Sequence, residues 1–597
     1  MDDLELDRRD QQRLDGAEGP ALQLAMELIV KAAAVLGARR LIAVSFAHLD
    51  SCFYAGEAHV DFAQYLLDHG ARLAIPSWTN SGLVSLADPD PGREAHDPQA
   101  AAGAKRLMAL YEALGAKPVW TCAPYQLPGG PQFGAQIVAA ESNAVAYYNA
   151  VVGARTNKYG DYLDVACALV GKAPDAGLHR DEARRGEMLF RIADDVPLRF
   201  RRENIFHHLL GHHVGLKAGR RIPVIDGLDR SVKLEDLKAV SAAVAAAGGV
   251  EHWHGVGVTP EAPTLDAAFG GQRPMAVHMV DAAALLTARN ALSPAGDGPI
   301  DMVALGTPHF GIGEFAALAG LLAGRRIHSG LSLVVSTSRI IAALAAEQGH
   351  LAVIEGAGGR VMTDSCSYYG PPLTGCHGRV MTNAAKWAYY APGMIGVSVC
   401  FGSLGECVES AVRGTVWRDP ELWQGMGGLP GAPTASRAGA PIKPARRSGA
   451  ARESLGTIFG RPLEAGAADG RVVVLDQPLS FWGGFDPKTG GIIDRRHPQS
   501  GVNLAGRVVL MRESRGSGTA PGSLAEAIRL GTAPAAIVLV TPDLNLAIGA
   551  AVGRRLYGRG LPVVTVTEDQ LDALAEAPQL AIAADGAIVT RIVGSRQ

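Results

Sequence analysis

A short apolar run, a cluster of polar residues at its end and then a helix-like stretch recur along this chain, and that unit restricts its fold more than any other feature. LIAVSFAHLDS (41–51) places His48, Asp50 and Ser51 just past a strand. ARLAIPSWTNSG (71–82) does the same with Ser77, Thr79, Asn80 and Ser81, and KPVWTCAPYQ (117–126) with Thr121, Cys122, Tyr125 and Gln126. IDMVALGTPHFG (300–311) and LSLVVSTSR (331–339) repeat it with Thr307, His309, Ser338 and Arg339. Strands alternating with helices predict an α/β fold, and parallel sheets put ligands in the crevice beyond the carboxyl ends of their strands. The polar ends are therefore expected to line a cleft.

At 597 residues the chain exceeds one ordinary domain. Residues 1–18 are charged and polar and are expected to form a flexible tail ahead of a large region, 19–415. Residues 416–454 are rich in Pro, Gly, Ala and Ser and read as a linker. Beyond it the strand pattern restarts on a smaller scale, with the helix-like GSLAEAIRLG (522–531), which predicts a separate α/β or β-rich domain over 455–597. Net charge is −3, and the basic cluster Lys443–Arg447 lies inside the linker, so no nucleic-acid partner is expected. No apolar run reaches the roughly 20 residues of a membrane span. The N-terminus has no apolar leader, and seven cysteines without one point to a reducing cytoplasm.

Residues 361–411 hold Cys366, Cys376, Cys400 and Cys407 amid a high density of Thr, Ser, Asn, Lys and Tyr. Thiolates are soft ligands for zinc, copper or iron–sulfur clusters. No CxxC pair occurs, which excludes zinc fingers and thioredoxin-type motifs and favours distant cysteines around an open metal position. A second concentration runs from Glu141, Ser142 and Asn143 to Arg155–Asp161. A polar triplet inside an apolar helix is costly unless hydrogen-bonded or functional. The loops SFWGGFDPKTGGIIDRRHP and SRGSGTAPGS carry glycines that let backbone approach a ligand closely. His212–His213 and His252–His254 lack a carboxylate or thiolate at suggestive spacing and read as structural or surface residues.

AHLDSC (47–52), TCAPYQ (121–126), ESNAV (141–145), GARTNKYGDYLD (153–164), VMTDSC (361–366), GRVMTNAAKWAYYAPG (378–393), FGSLGECVESA (401–411), SFWGGFDPKTG (480–490), HPQSG (497–501) and RGSG (515–518) follow one another in order. On these motifs the chain resembles the aconitase X family, a divergent branch of the aconitase superfamily. The resemblance covers 20–415 as the large catalytic part and roughly 455–597 as a swivelling β/α domain. Both parts on one chain resemble the fused bacterial subtype, associated with dehydration of cis-3-hydroxy-L-proline; the two-subunit archaeal subtype is associated with mevalonate 5-phosphate.

The resemblance implies a hydro-lyase in which Ser517 is the base that removes the Cα proton. It implies iron as Lewis acid on the leaving hydroxyl, held by Cys122, Cys366 and Cys407 as a [2Fe–2S] cluster or a single iron. Cys400 is an alternative to Cys407, and Cys52 and Cys376 stay open; Cys167 reads as a buried small hydrophobe. Arg155 and Lys386 are the candidates for the substrate carboxylate, with Ser142, Asn143 and Thr382 as hydrogen-bond donors. His48 with Asp50 is expected to form an imidazole pair that protonates the leaving hydroxyl. Ser51, Arg515 and Gly516 complete the expected contacts to substrate and base. The partner is then a small hydroxy amino acid, with the oligomeric state open. The alternatives are another hydroxy acid, mevalonate 5-phosphate included, and a non-catalytic relative that senses iron or binds RNA.

Overall fold

In the computed structural model, which describes residues 4–369, 378–427, 457–495, 497–515 and 518–590, the run Met302–Leu305 is buried at every position. A strand covered by helices on both faces requires this. It is the centre of a five-stranded parallel sheet, ordered Arg360–Thr363, Ser332–Thr337, Met302–Leu305, Arg379–Thr382, Ser398–Phe401. A second parallel sheet runs His254–Gly255, Pro223–Asp226, Met188–Ile192, Ala276–Val280. A third sets Ala47–Leu49 between Ser77–Thr79 and Val138–Ala139. The C-terminal part is a mixed eight-stranded sheet with Val508–Met511 and Ala536–Leu539 paired in parallel near its middle. The chain is thus α/β throughout, as its period predicts, but the region 19–415 holds three separate parallel sheets.

Two of its helices, Asn204–Ala218 and Leu234–Gly248, pack backbone to backbone. A Cβ on Gly211 would lie 2.8 Å from the Val240 carbonyl oxygen, and one on Gly215 would lie 2.8 Å from that of Val244. Small residues at the crossing bring these helices closer than ordinary side chains allow.

The structure corrects three sequence expectations. Residues 4–18 are not a free tail. Arg8–Leu14 is helical behind the Asp7 cap, Asp10 is buried, and Lys172 pairs with Asp10 at 2.7 Å. The segment 117–126 is not a strand. Trp120 adopts φ +41° and is fully buried, so the chain turns beside Ser77–Thr79 and enters a short 3-10 turn at Pro124–Gln126. The first residues of the expected linker are docked too: Trp423 is fully buried and its indole N–H donates to Glu406 at 2.9 Å. The remainder of the linker, 428–454, lies outside the described residues.

The C-terminal domain seats its helix Ala520–Leu530 on the helix Glu57–Asp68 of the first part. The Ala58 amide donates to Glu526 at 2.9 Å, and the Asp161 amide to the Gly518 carbonyl at 2.8 Å. Gly522 is required here, because a Cβ would lie 1.9 Å from Cε1 of His59. At the far edge Glu464, almost fully buried, takes Lys31 at 2.5 Å and also Arg554.

Candidate active site

The strand Ala47–Leu49 ends by delivering Asp50 into the seam between the two parts. Asp50, Glu141, Ser142 and Lys386 from the large part meet Trp482 and Thr519 from the C-terminal domain around a small cavity of about 10 Å³. Four aromatic rings, Phe53, Tyr368, Tyr369 and Tyr390, form the rest of its wall. That volume is room for about one water molecule. The Thr519 hydroxyl donates to Asp50 Oδ2 at 3.1 Å, so a hydrogen bond crosses the seam at the cavity itself.

Glu141 is not inside a helix, as the apolar run around it suggested. It caps the helix Ser142–Tyr147 and accepts from the Asn143 amide. Its carboxylate also takes the Lys386 ammonium and the Asn143 side chain, the latter at 2.8 Å. Burial opposes its charge, but Lys386 and Asn143 outweigh burial and bring its pKa down to about 2. Burial likewise opposes the charge on Lys386, and Glu141 overrides it upward. The result is a buried ion pair in the cavity wall.

Behind this wall Cys122, Cys366 and His309 each offer a ligand atom, all within 4.8 Å of one another and all buried. His309 and Cys366 follow two strands of the five-stranded sheet, Met302–Leu305 and Arg360–Thr363, and the irregular segment 117–126 brings Cys122 to them. The His309 amide donates to Cys122 Sγ at 3.4 Å. Burial opposes a thiolate at Cys122, yet the Cys366 thiol, Lys386 and that amide turn its pKa downward. Burial raises the pKa of Cys366. His309 is held neutral, its pKa pushed down to about 3 by burial, and its ring contacts the Thr121 hydroxyl at 3.0 Å and the Ser365 carbonyl at 3.2 Å. The two thiols suit a soft or borderline metal ion, and His309 would join them by exchanging one of its two ring contacts for the metal.

Several sequence candidates stand elsewhere. Cys407 is not with Cys122 and Cys366: it faces the apolar core from the helix Leu404–Arg413, in a cluster shared with Cys400. Cys400 donates to the Gly296 carbonyl at 3.1 Å, and Cys52 to that of Leu49 at 3.2 Å. Cys376 lies outside the described residues. Cys167 packs in an apolar core. Arg155 pairs with Asp181 and the His179 carbonyl, away from the cavity. Thr382 accepts from the Ala384 amide at 3.2 Å. Ser51 donates to Asp164 and accepts from the Tyr162 amide at 2.7 Å. Asn143 spans Glu141 and the Cys122 carbonyl, the latter at 3.0 Å, and so braces the two without lining the cavity.

The expected His48–Asp50 pair does not form. His48 Nε2 faces the Thr121 carbonyl at 2.9 Å, burial lowers its pKa to about 4, and Asp50 turns instead to Asn80 and Thr519. Ser517 and Gly516 lie outside the described residues. Arg515 lines a neighbouring cleft of about 90 Å³ with Lys158 and Arg220, and Ser142, Tyr390 and Trp482 belong to both spaces.

Sequence reasoning missed three things. His309 as a donor was visible only as one polar strand end among several. Trp482 and Thr519 lie in the two glycine-rich loops of the other domain that the sequence marks, but nothing local singles out their side chains. His252 and His254 do have a carboxylate beside them: Glu261 lies 3.3 Å from His252, all near-buried. Arg184 already grips that carboxylate at 2.9 Å, which makes the group an ion-pair network.

Family models match nearly the whole described chain: Aconitase X first domain over 3–182, second domain over 186–290, third domain over 300–413 and swivel domain over 457–590. The chain is 44% identical over 413 residues to a cis-3-hydroxy-L-proline dehydratase of Pseudomonas aeruginosa, covering 68% of this chain and 70% of that one. It is 40% identical over 416 residues to a cis-3-hydroxy-L-proline dehydratase of Hypocrea jecorina, covering 69% of each. Its fold matches the crystal structure of Thermococcus kodakaraensis aconitase X in the holo-form, with a TM-score of 0.61 at 28% identity, covering 68% of this chain and all of that one.

Proposed function

This chain belongs to the aconitase X family, and on that premise we propose that it is a hydro-lyase converting cis-3-hydroxy-L-proline to Δ1-pyrroline-2-carboxylate. The observation that carries the reading is the small polar cavity at the seam, where Lys386, Glu141 and Asp50 of one part meet Thr519 of the other. The substrate is supported by the names of the relatives at 44% and 40% identity.

Removing the Cα proton beside a carboxylate builds negative charge on that carboxylate, and a buried cation stabilises it. Lys386 supplies the charge, and Glu141 fixes its position. Ser142 offers a hydroxyl to the same space. Ser517, two residues before Thr519, is our proposed base; as an isolated hydroxyl it needs backbone amides and Arg515 to favour its alkoxide. Cys122, Cys366 and His309 would hold the iron, alone or in a [2Fe–2S] cluster, and iron there would supply Lewis acidity toward the leaving hydroxyl. The aromatic walls exclude water during the elimination. No helix among the described residues is long and apolar enough to cross a membrane. We place the protein in the cytoplasm, which the six cysteines among the described residues, all buried and none in a disulfide, support.

A second substrate reading rests on the neighbouring cleft: Lys158, Arg220 and Arg515 would suit an anionic extension such as that of mevalonate 5-phosphate. One assay separates the two. Protein purified without oxygen is given cis-3-hydroxy-L-proline or mevalonate 5-phosphate, with imine or alkene product followed and visible absorbance recorded. Cyclic imine with an iron spectrum supports the first reading; turnover of only the phosphorylated acid overturns it.

A further inference from the structure

Asp50, Glu141, Asp161 and Asp164 are four buried carboxyl groups close enough to act on one another's charge. One ammonium, Lys386, is engaged by Glu141. His59 meets Asp161 at 2.8 Å, and burial lowers its pKa to about 4, so it brings no charge near neutrality. Asp164 accepts from the amides of Asp50 and Ser51 at 2.7 and 3.1 Å and from the Ser51 hydroxyl. Among the described residues, the donors to the Asp50 side chain are neutral: the Asn80 amide on Oδ1 and the Thr519 hydroxyl on Oδ2. A buried carboxyl facing other carboxylates without a cation keeps its proton; here burial first, then Asp161, Glu141 and Asp164, push Asp50 far above the usual carboxylate range, and burial and Asp164 push Asp161, beside the neutral His59, up likewise. Among the described groups lining the cavity, Asp50 is the one carboxyl without a cation. Tyr368, Tyr369 and Tyr390 also hold protons there, but burial raises phenols that are already weak acids.

We propose that Asp50 is the catalytic acid of the dehydration, and that the Thr519 hydroxyl, by donating to Oδ2, positions its carboxyl group when the C-terminal domain is seated. The proposal rests on the dehydratase reading. The base takes the Cα proton, and the Cα–H electron pair becomes the Cα–C3 double bond. The C3–O bond breaks with its electrons on oxygen, and the Asp50 proton converts the departing group to water. Asp50 is left as a carboxylate and regains a proton from solvent once the domain lifts. His48, whose ring faces the Thr121 carbonyl and not the cavity, is released from this role.

The test uses a leaving group that needs no proton. Iron-loaded wild type and Asp50→Asn are given cis-3-hydroxy-L-proline and cis-3-fluoro-L-proline, with imine and fluoride measured. General acids contribute about 10²–10⁴-fold, so Asp50→Asn should lose water elimination by about that factor while fluoride elimination stays within about tenfold of wild type. Equal loss with both substrates, or loss with neither, overturns the proposal. Should Asp50→Asn fail to fold by its melting curve, wild type decides. A solvent deuterium isotope effect on kcat should accompany the hydroxy substrate and vanish with the fluoro substrate; equal effects overturn the proposal. Wild type inert to both substrates overturns the dehydratase reading, and the role of Asp50 with it.

Discussion

Glu141 is the residue on which the site's electrostatics turn. Its carboxyl is lowered from an ordinary value of 4.5 to about 2, against burial, by Lys386 and Asn143. A folded pKa below the unfolded one means the ion pair's stabilisation is present above about pH 4.5 and is lost as pH falls toward about 2. Removing one partner of a buried pair costs about 3–5 kcal/mol. Lys386→Met should therefore melt lower than wild type near neutrality by that order, and melting curves across pH should show its acid-side slope flattened. The metal donors give a second expectation at this scale. In protein purified without air, Cys366→Ser and His309→Ala should each lower the iron bound per chain, while Cys407→Ser, in the apolar core, should leave it unchanged. Iron retained in both of the first two variants would sink the assignment.

The crossing of Asn204–Ala218 with Leu234–Gly248 depends on what is missing from two residues. Gly211→Val forces a side chain against the Val240 carbonyl, and overpacking of this kind costs about 1–3 kcal/mol. Calorimetry should show a lower Tm; an unchanged Tm would mean the helices part without cost. Elements of this sort were also the most legible in the sequence. Parallel strands announce themselves by apolar runs ending in polar clusters, and those clusters carried His48, Asp50 and His309 to one region, where Cys122 joins them from a segment that only looked like a strand. Cys407 was illegible for a physical reason: on the helix Leu404–Arg413 a core cysteine and a metal ligand occupy the same kind of apolar-face position. Thr382 and Ser51 misled similarly, since a hydroxyl that serves a backbone amide looks like one that serves a substrate.

Over the whole molecule, the site belongs to neither part alone. Residues such as Asp50 and Thr519, 469 positions apart, share no sequence signal, because only tertiary packing brings them together. The cavity between them holds about one water, less room than a proline ring needs, so we expect the domains to separate for substrate to enter. Glu464, gripping Lys31 and Arg554 at the far edge of the seam, resists that separation. Glu464→Gln should loosen it, and hydrogen–deuterium exchange of the helix Glu57–Asp68 should then run faster than in wild type; equal exchange would show that the contact does not restrain the seam.

One feature of the chain changes what this seam must achieve. Catalytic part and swivel domain are covalently continuous, so they meet at an effective concentration on the order of millimolar whatever the amount of protein in the cell. Two separate chains would need an interface tight enough to find each other at dilution, and tightness slows release. A tethered lid is freed from that demand: it can be held weakly, open at every turnover, and still never be lost.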